Sequence, residues 1–475
     1  MKRIISLFLV LIMILSMTAC SRNDDEVKNA VSVEEIKKPE YKSGQTITLK
    51  VYNWGEYISD GSEDSLDVNA AFEEYFNANL SSLYGGAKVK VEYSTYPTNE
   101  DMYSKLKNSA VAYDIVVPSD YMIEKMKNEG MLFSFDTSTL SNYKNIPDSF
   151  KKAYYDENNE YSVPYTYGMM GVIYNKEIVD KNDIYDEDNK KTWGLLWNEK
   201  YKNNILQFNN PRDAFATAMY WKGLNVNSTD PDEWDTALEL LKEQKPLLQG
   251  YVNDEIFNKM KTESAAIAPY YVGDFLTMAE EEENLDFYYP DEGVNYFVDA
   301  MCIPSCSQNP HIAKEYINFM IGETAAVANA MYLGYASPNS AVINSEEYIE
   351  AMSEYAYEGE NGEGAYELLY NYAPDVVNAA YDSLYPGEIS PACYRSFDPD
   401  IQTHVNTLWE DLKISGSTEL WVHILSIAIV VAVVAYAGYS IYIRKKRSHD
   451  YRMRDKQKML EKRTKALENA QKPTE

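Results

Sequence analysis

The stretch Thr48–Ile58, TLKVYNWGEYI, alternates apolar side chains and then stops at Trp54, Glu56 and Tyr57. An indole, a phenol and a carboxylate at the end of a buried strand suit the capture of a cation, since aromatic faces attract positive charge and a carboxylate neutralises it. A second polar knot, PSDY at Pro118–Tyr121, ends the short apolar run that begins at Tyr113. Asp299 stands beside Phe297, Val298 and Met301, and a carboxylate in so apolar a neighbourhood needs a partner. With 42 Tyr against 14 Phe, a single tyrosine in a loop carries little weight by itself.

Residues for covalent or acid–base chemistry are scarce. Of four histidines, His423 falls in an apolar run and His449 in a basic tail, and neither His311 nor His404 has a nucleophile motif near it. GxSxG, HExxH and the P-loop are absent, so no catalytic residue and no cofactor are expected. The acidic run Asp183–Asp188, DIYDED, lacks the glycine and closing glutamate of an EF-hand loop and reads as a solvated turn, so no metal is expected either.

The elements that would position these residues alternate. Ile47, Leu49 and Val51 read as a strand, SLDVNAAFEEYFNANL as a helix, AKVKVEY as a strand, NEDMYSKLKNS as a helix and YDIVVP as a short buried strand. This β-α-β-α-β order predicts an α/β fold with a parallel sheet covered by helices. Open sheets of that kind take ligands beyond the carboxyl ends of their strands, which is where Trp54–Tyr57 and Pro118–Tyr121 fall. A second α/β unit follows, opened by a strand over Tyr161–Asn175 long enough to cross between two lobes. WGLLWNEKYKNNILQFNNPRDAFATAMYWKG and EWDTALELLKEQKPLL read as helix-rich, SAAIAPYYVGD contains a strand, and Asn295–Pro304 crosses back. The HIAKEYINFMIG helix and LGYASPN rejoin the first lobe, and YEGENGEGAYE reads as a surface loop.

Charge and the chain ends place these units. The 475 residues carry a formal charge of −30, which disfavours nucleic acid as a partner and favours a cation. Residues 444–475 hold 12 Lys+Arg against 5 Asp+Glu, so the acid is concentrated upstream. Residues 1–20 combine Lys2-Arg3, a short apolar core and MTAC, which resembles a lipoprotein signal with Cys20 as the lipidated residue; residues 21–44 read as a tether. Leu420–Ile443 is long enough to span a bilayer, with Trp421 and Tyr442 near its ends and RKKR directly after it. By the positive-inside rule the basic tail, 444–475, is cytoplasmic and the preceding domain lies outside the cell membrane. Cys302, Cys306 and Cys393 are an odd set without finger spacing, and whether Cys302 and Cys306 bond depends on a turn at Pro304.

Six phrases in order, VYNWGEYI, VEYSTYPTNEDMYSKLK, YDIVVPSDYMIEKMKNEGML, YSVPYTYG, NNPRDAF and LGYASPN, resemble the spermidine/putrescine-binding proteins of polyamine ABC transporters over about residues 46–412. The resemblance implies a two-lobed, periplasmic-binding-protein-like fold of type II. Residues 45–164 and 298–415 would form one lobe and 165–297 the other. It implies a polyamine ligand, permease subunits with a cytoplasmic ATPase as partners, and no enzymatic activity. Matched by motif, the ligand-binding residues are Trp54, Glu56, Tyr57, Ser119, Tyr121, Asp213, Tyr271, Phe297, Asp299 and Tyr335. Two positions depart from the pattern: Asn210 stands where an acid is expected and Phe297 where tryptophan is. Asn accepts a hydrogen bond from an ammonium without neutralising it, which leaves putrescine against spermidine open. The competing readings are a receptor of the same fold for another solute and a surface glycan hydrolase, which requires two carboxylates facing each other at glycosidase spacing.

Overall fold

The computed structural model describes residues 31–108, 111–354, 357, 364–370, 393–414 and 420–470. The lipoprotein signal with Cys20, the start of the tether and most of the YEGENGEGAYE loop lie outside the described residues.

Strands β1 (Thr46–Trp54), β2 (Lys88–Tyr96) and β3 (Ile115–Val116) come from the runs with apolar alternation or continuous apolar character. β2 and β3 flank β1, both parallel to it, and the helices Val68–Tyr75 and Asn99–Asn108 connect them. The first helix begins where Asp67 accepts the Ala70 N–H, which satisfies one of the donors left free at a helix start. It buries Val68 and Phe72, and Phe72 packs edge-on against Tyr316 of the helix Pro310–Met320.

Nine strands form one sheet: eight follow the order β2, β1, β3, β9 (Tyr296–Cys302), β4 (Ser162–Asn175), β7 (Ile267–Tyr271), β5 (Ile205–Phe208) and β6 (Leu248–Val252), and β8 (Leu285–Tyr288) pairs with β4 off that path. β4 (Ser162–Asn175) is buried along all 14 residues because both of its ends are paired. Its first part runs antiparallel to β9 (Tyr296–Cys302), and its second part runs antiparallel to β7 (Ile267–Tyr271) and β8 (Leu285–Tyr288). β5 (Ile205–Phe208) lies parallel to β6 (Leu248–Val252) and β7. The sheet is therefore mixed, with parallel strands on either side of the long antiparallel pair β4–β9, and not parallel throughout as the alternation predicts. Helices flank it, as in the periplasmic-binding-protein class.

The stretch expected to be helix-rich contains β5. Ile205-Leu206-Gln207-Phe208 is fully buried, so it shows no alternation, and a four-residue apolar run has no period by which to tell strand from helix. Part of the expected tether is docked: Val33 is wholly buried, its N–H donates to the Ser134 carbonyl at 2.7 Å, and Glu34 pairs with Lys314. Cys302, Cys306 and Cys393 are free thiols.

Residues 409–475 form a separate compact unit. Leu420–Ala470 is a single helix of 51 residues, and its 428–463 stretch contains a window of mean hydropathy 1.3, long and apolar enough to cross a membrane. Ile429, Val430, Val431, Val433 and Val434 are all exposed along it.

Candidate functional site

A cavity of about 110 Å³ opens beyond the carboxyl ends of β1 and β3 and of β5 and β7. One water needs roughly 10–15 Å³ by the same measure, so there is room for a small organic molecule. All ten residues named from the sequence line it: Trp54, Glu56, Tyr57, Ser119, Tyr121, Asp213, Tyr271, Phe297, Asp299 and Tyr335.

β1 ends at Trp54, whose indole N–H donates to the Val117 carbonyl at 2.9 Å and whose ring packs on Tyr96 at 4.7 Å. The chain then turns sharply. Asn53 Nδ2 donates to the Tyr57 carbonyl at 3.1 Å and Glu56 adopts a φ of +47°, which leaves the Glu56 side chain exposed and the Tyr57 side chain buried. Tyr57 Oη donates to Asp299 Oδ2 at 2.8 Å and also bonds Thr166 of β4. Asp299 comes from the middle of β9, where the backbone of Ser119 bridges to it.

The rings form a ladder. Tyr57 meets Tyr335 edge-on at 5.3 Å, Tyr335 lies 6.2 Å from Phe297, and Phe297 meets Tyr271 at 5.4 Å. Three rungs hold a carboxylate by the phenol: Tyr57 holds Asp299, Tyr335 donates to Asp274 Oδ2 at 2.8 Å, and Tyr271 donates to Asp213 Oδ2 at 2.5 Å. Gly273 is what admits the second pair. A Cβ there would sit 2.5 Å from the Tyr335 ring, closer than any side chain can approach.

Sequence reasoning missed Asp274, Asp254, Asp120, Glu100, Arg212 and Tyr394, all of which line the cavity. With Glu56, Asp213 and Asp299 they bring seven carboxylates to face one guanidinium among the described residues. That guanidinium, Arg212, is buried 3.7 Å from the Phe397 ring centre and 4.5 Å from that of Tyr394, and it donates to Asn227 Oδ1 at 2.8 Å.

The carboxylates differ in what they still lack. Asn210 caps the helix by accepting the Asp213 N–H, and the Asp213 carboxylate accepts from Asn210 Nδ2 at 2.9 Å, from Tyr271, and from Tyr394 Oη at 2.9 Å. Three donors nearly fill a carboxylate's acceptor capacity. Asn210 thus serves as a donor to an acid. Asp299 is 4% exposed, yet its Oδ1 has no hydrogen-bond partner. Burial, offset in part by the hydroxyls of Ser119 and Tyr57, pushes Asp299 up to about 7. Burial also pushes Asp274 up to about 7, with Asp254 and Glu56 adding like charge and the Tyr335 hydroxyl opposing them. Asp120, which accepts from the Tyr121 N–H at 2.7 Å, is pushed by burial up to about 8. Burial thus shifts all three acids toward their neutral forms. A bound cation would oppose that shift.

A mixed sheet flanked by helices, with a cavity at its strand ends lined by rings and acids, is the architecture of a solute-binding protein. A family model for bacterial extracellular solute-binding proteins matches residues 70–353. The spermidine/putrescine-binding periplasmic protein of Salmonella typhimurium is 32% identical over 295 residues, covering 62% of this chain and 78% of that one. The putrescine/cadaverine-binding protein of Pseudomonas aeruginosa is 27% identical over 305 residues, covering 62% and 80%. The solved spermidine/putrescine ABC transporter substrate-binding protein of Streptococcus pneumoniae superposes with a TM-score of 0.55 at 28% identity, over 77% of this chain and 98% of that one. The chain belongs to the extracytoplasmic spermidine/putrescine-binding protein family. Members are non-catalytic partners of an ABC permease.

Proposed function

We propose that this protein captures a linear polyamine, putrescine or spermidine, in the cavity between the two halves of its sheet and delivers it to the permease of an ABC importer. The observation that carries this reading is Asp299 Oδ1, a buried acceptor without a donor at one end of an aromatic ladder. Seven carboxylates against one guanidinium favour a ligand with more than one positive charge, and the names of the relatives point the same way. Each methylene withdrawn from water contributes about 0.8 kcal/mol, so a four-carbon spacer contributes roughly 3. A desolvated ammonium over a ring gains about 2 kcal/mol more. Because Asp213 is nearly saturated, the acids open to ammonium groups are Asp299 and Asp274, one for each end of a diamine. Ligand touching both halves at once favours the closed form, and that shift is the signal the permease reads.

Titration calorimetry of the intact, detergent-solubilised protein with putrescine, spermidine, glutamate and maltose tests the reading. Binding of the two amines alone is expected. Binding of glutamate or maltose with no amine response assigns the cavity to another solute.

The membrane placement follows the same reading: Cys20 carries lipid, Leu420–Ile443 spans the bilayer, and residues 444–475 are cytoplasmic. A chain in which residues 1–20 are replaced by a signal whose cleavage needs no cysteine, and that also ends before Leu420, is expected in the soluble fraction of the cell envelope, whereas either change alone keeps the protein in membranes. Recovery of the double variant in membranes contradicts this placement.

A further inference from the structure

The cavity continues outward. Pro97, Asn253, Asp254 and Phe257 line both the inner cavity and a more open pocket of about 500 Å³, which Glu255, Asn258 and Lys261 complete. Gly55 lets the Asp254 carboxylate lie close against the chain at this junction. Asp254 Oδ2 lies 2.7 Å from where a Cβ at Gly55 would sit, so any larger residue would displace that carboxylate.

The pocket has the chemistry of an extended amine. Pro97 and the half-buried Phe257 ring supply apolar wall for methylenes, and Asp254 is an exposed carboxylate for which no donor is recorded among the described residues. The one cation on the rim, Lys261, is turned onto Glu281 Oε1 at 2.7 Å, which leaves its charge paired.

Resting on the polyamine reading above, we propose that this outer pocket is a vestibule that takes the aminopropyl arm of a triamine, with Asp254 holding the third ammonium while the four-carbon part spans Asp299 and Asp274 inside. The inner alternative is closed off. An arm directed toward Asp213 meets a carboxylate already accepting from Tyr271, Asn210 and Tyr394, and the Arg212 guanidinium lies 4.5 Å from the ring centre of that Tyr394. An arm directed past Asp254 meets open volume and a free acid. The vestibule therefore sets the length of chain the protein accepts, and a diamine leaves it empty.

The test compares putrescine with spermidine by calorimetry on the intact protein and two variants. Asn258 is exposed and lines only the vestibule. Asn258→Lys places a cation where the third ammonium would sit, and it is expected to weaken spermidine about 10-fold with putrescine changed less than about twofold. Asp254→Asn is expected to lower the preference for spermidine over putrescine by about fivefold. Equal weakening of both amines by Asn258→Lys, or no effect on either, overturns the vestibule, as does a wild-type protein that binds putrescine and refuses spermidine. If the wild type binds no amine at all, the polyamine reading itself fails, a result distinct from the other three.

Discussion

Replacing Asp299 with Asn is expected to weaken putrescine and spermidine by at least about 100-fold while leaving the ligand-free protein as stable as the wild type or more so. The two effects have one cause. Asp299 is 4% exposed on the central strand β9, and its Oδ1 has no partner. In the empty protein the ionised form is therefore costly, and an amide that still accepts the Tyr57 hydroxyl relieves that cost. In the complex the same site must neutralise an ammonium withdrawn from water. Removing one member of a buried ion pair costs about 3–5 kcal/mol, which corresponds to roughly 10²–10⁴ in affinity. A merely structural role for Asp299 predicts the reverse pairing, a lower melting temperature with affinity retained. Calorimetry and thermal unfolding on the same preparation distinguish the two, and retained affinity refutes the assignment.

The parts of this site that are readable from sequence are those where a local pattern and a chemical oddity coincide. Trp54, Glu56 and Tyr57 end a strand with clear alternation, and a strand end in an α/β sheet is where a ligand sits. Asp299 is an acid inside an apolar strand, and only a partner explains such a placement. Asp274 escapes because nothing in Val272-Gly273-Asp274 marks it as different from any helix start. Its signal was nonetheless available: it lies three residues past Tyr271, in the first turn of the helix that β7 feeds, so both face the strand's carboxyl end. Tyr394 could not be read locally. It reaches Asp213 across 181 residues, and only the tertiary fold brings them together. The mixed sheet was hidden for a similar reason. Helix and strand alternate along the chain, but the direction of β9 against β3 and β4 is set by the return of the chain from the second half, which no short window contains.

The departures at Asn210 and Phe297 are less disruptive than their residue types suggest. Asn210 keeps the helix-capping role that Asp would also fill and donates to Asp213. Phe297 keeps its rung between Tyr335 and Tyr271.

Affinity for a polyamine is expected to climb steeply between about pH 5 and pH 7 and then level off, while the stability of the empty protein moves in the opposite direction. Asp299 and Asp274 ionise near 7 when folded and empty, pushed there chiefly by burial, against about 3.9 in an unfolded chain. Between those values the native state holds more protons than the unfolded state, so unfolding free energy falls as pH rises. The contribution of these two groups is complete below about pH 4 and is lost by the time pH passes about 7. An ammonium at each carboxylate stabilises the ionised form, so binding below pH 7 must expel the proton. Each carboxylate that ionises on binding then costs up to about tenfold in affinity per pH unit. Above pH 7 no proton remains to be expelled, and a primary amine stays charged until about 10, so the curve flattens. Calorimetry at pH 6 in two buffers of different ionisation enthalpy should register release of one to two protons per polyamine bound, falling to one or fewer in Asp274→Asn. Affinity that is constant from pH 5 to pH 8, with no proton released, would mean that Asp299 and Asp274 are not the groups that meet the ligand.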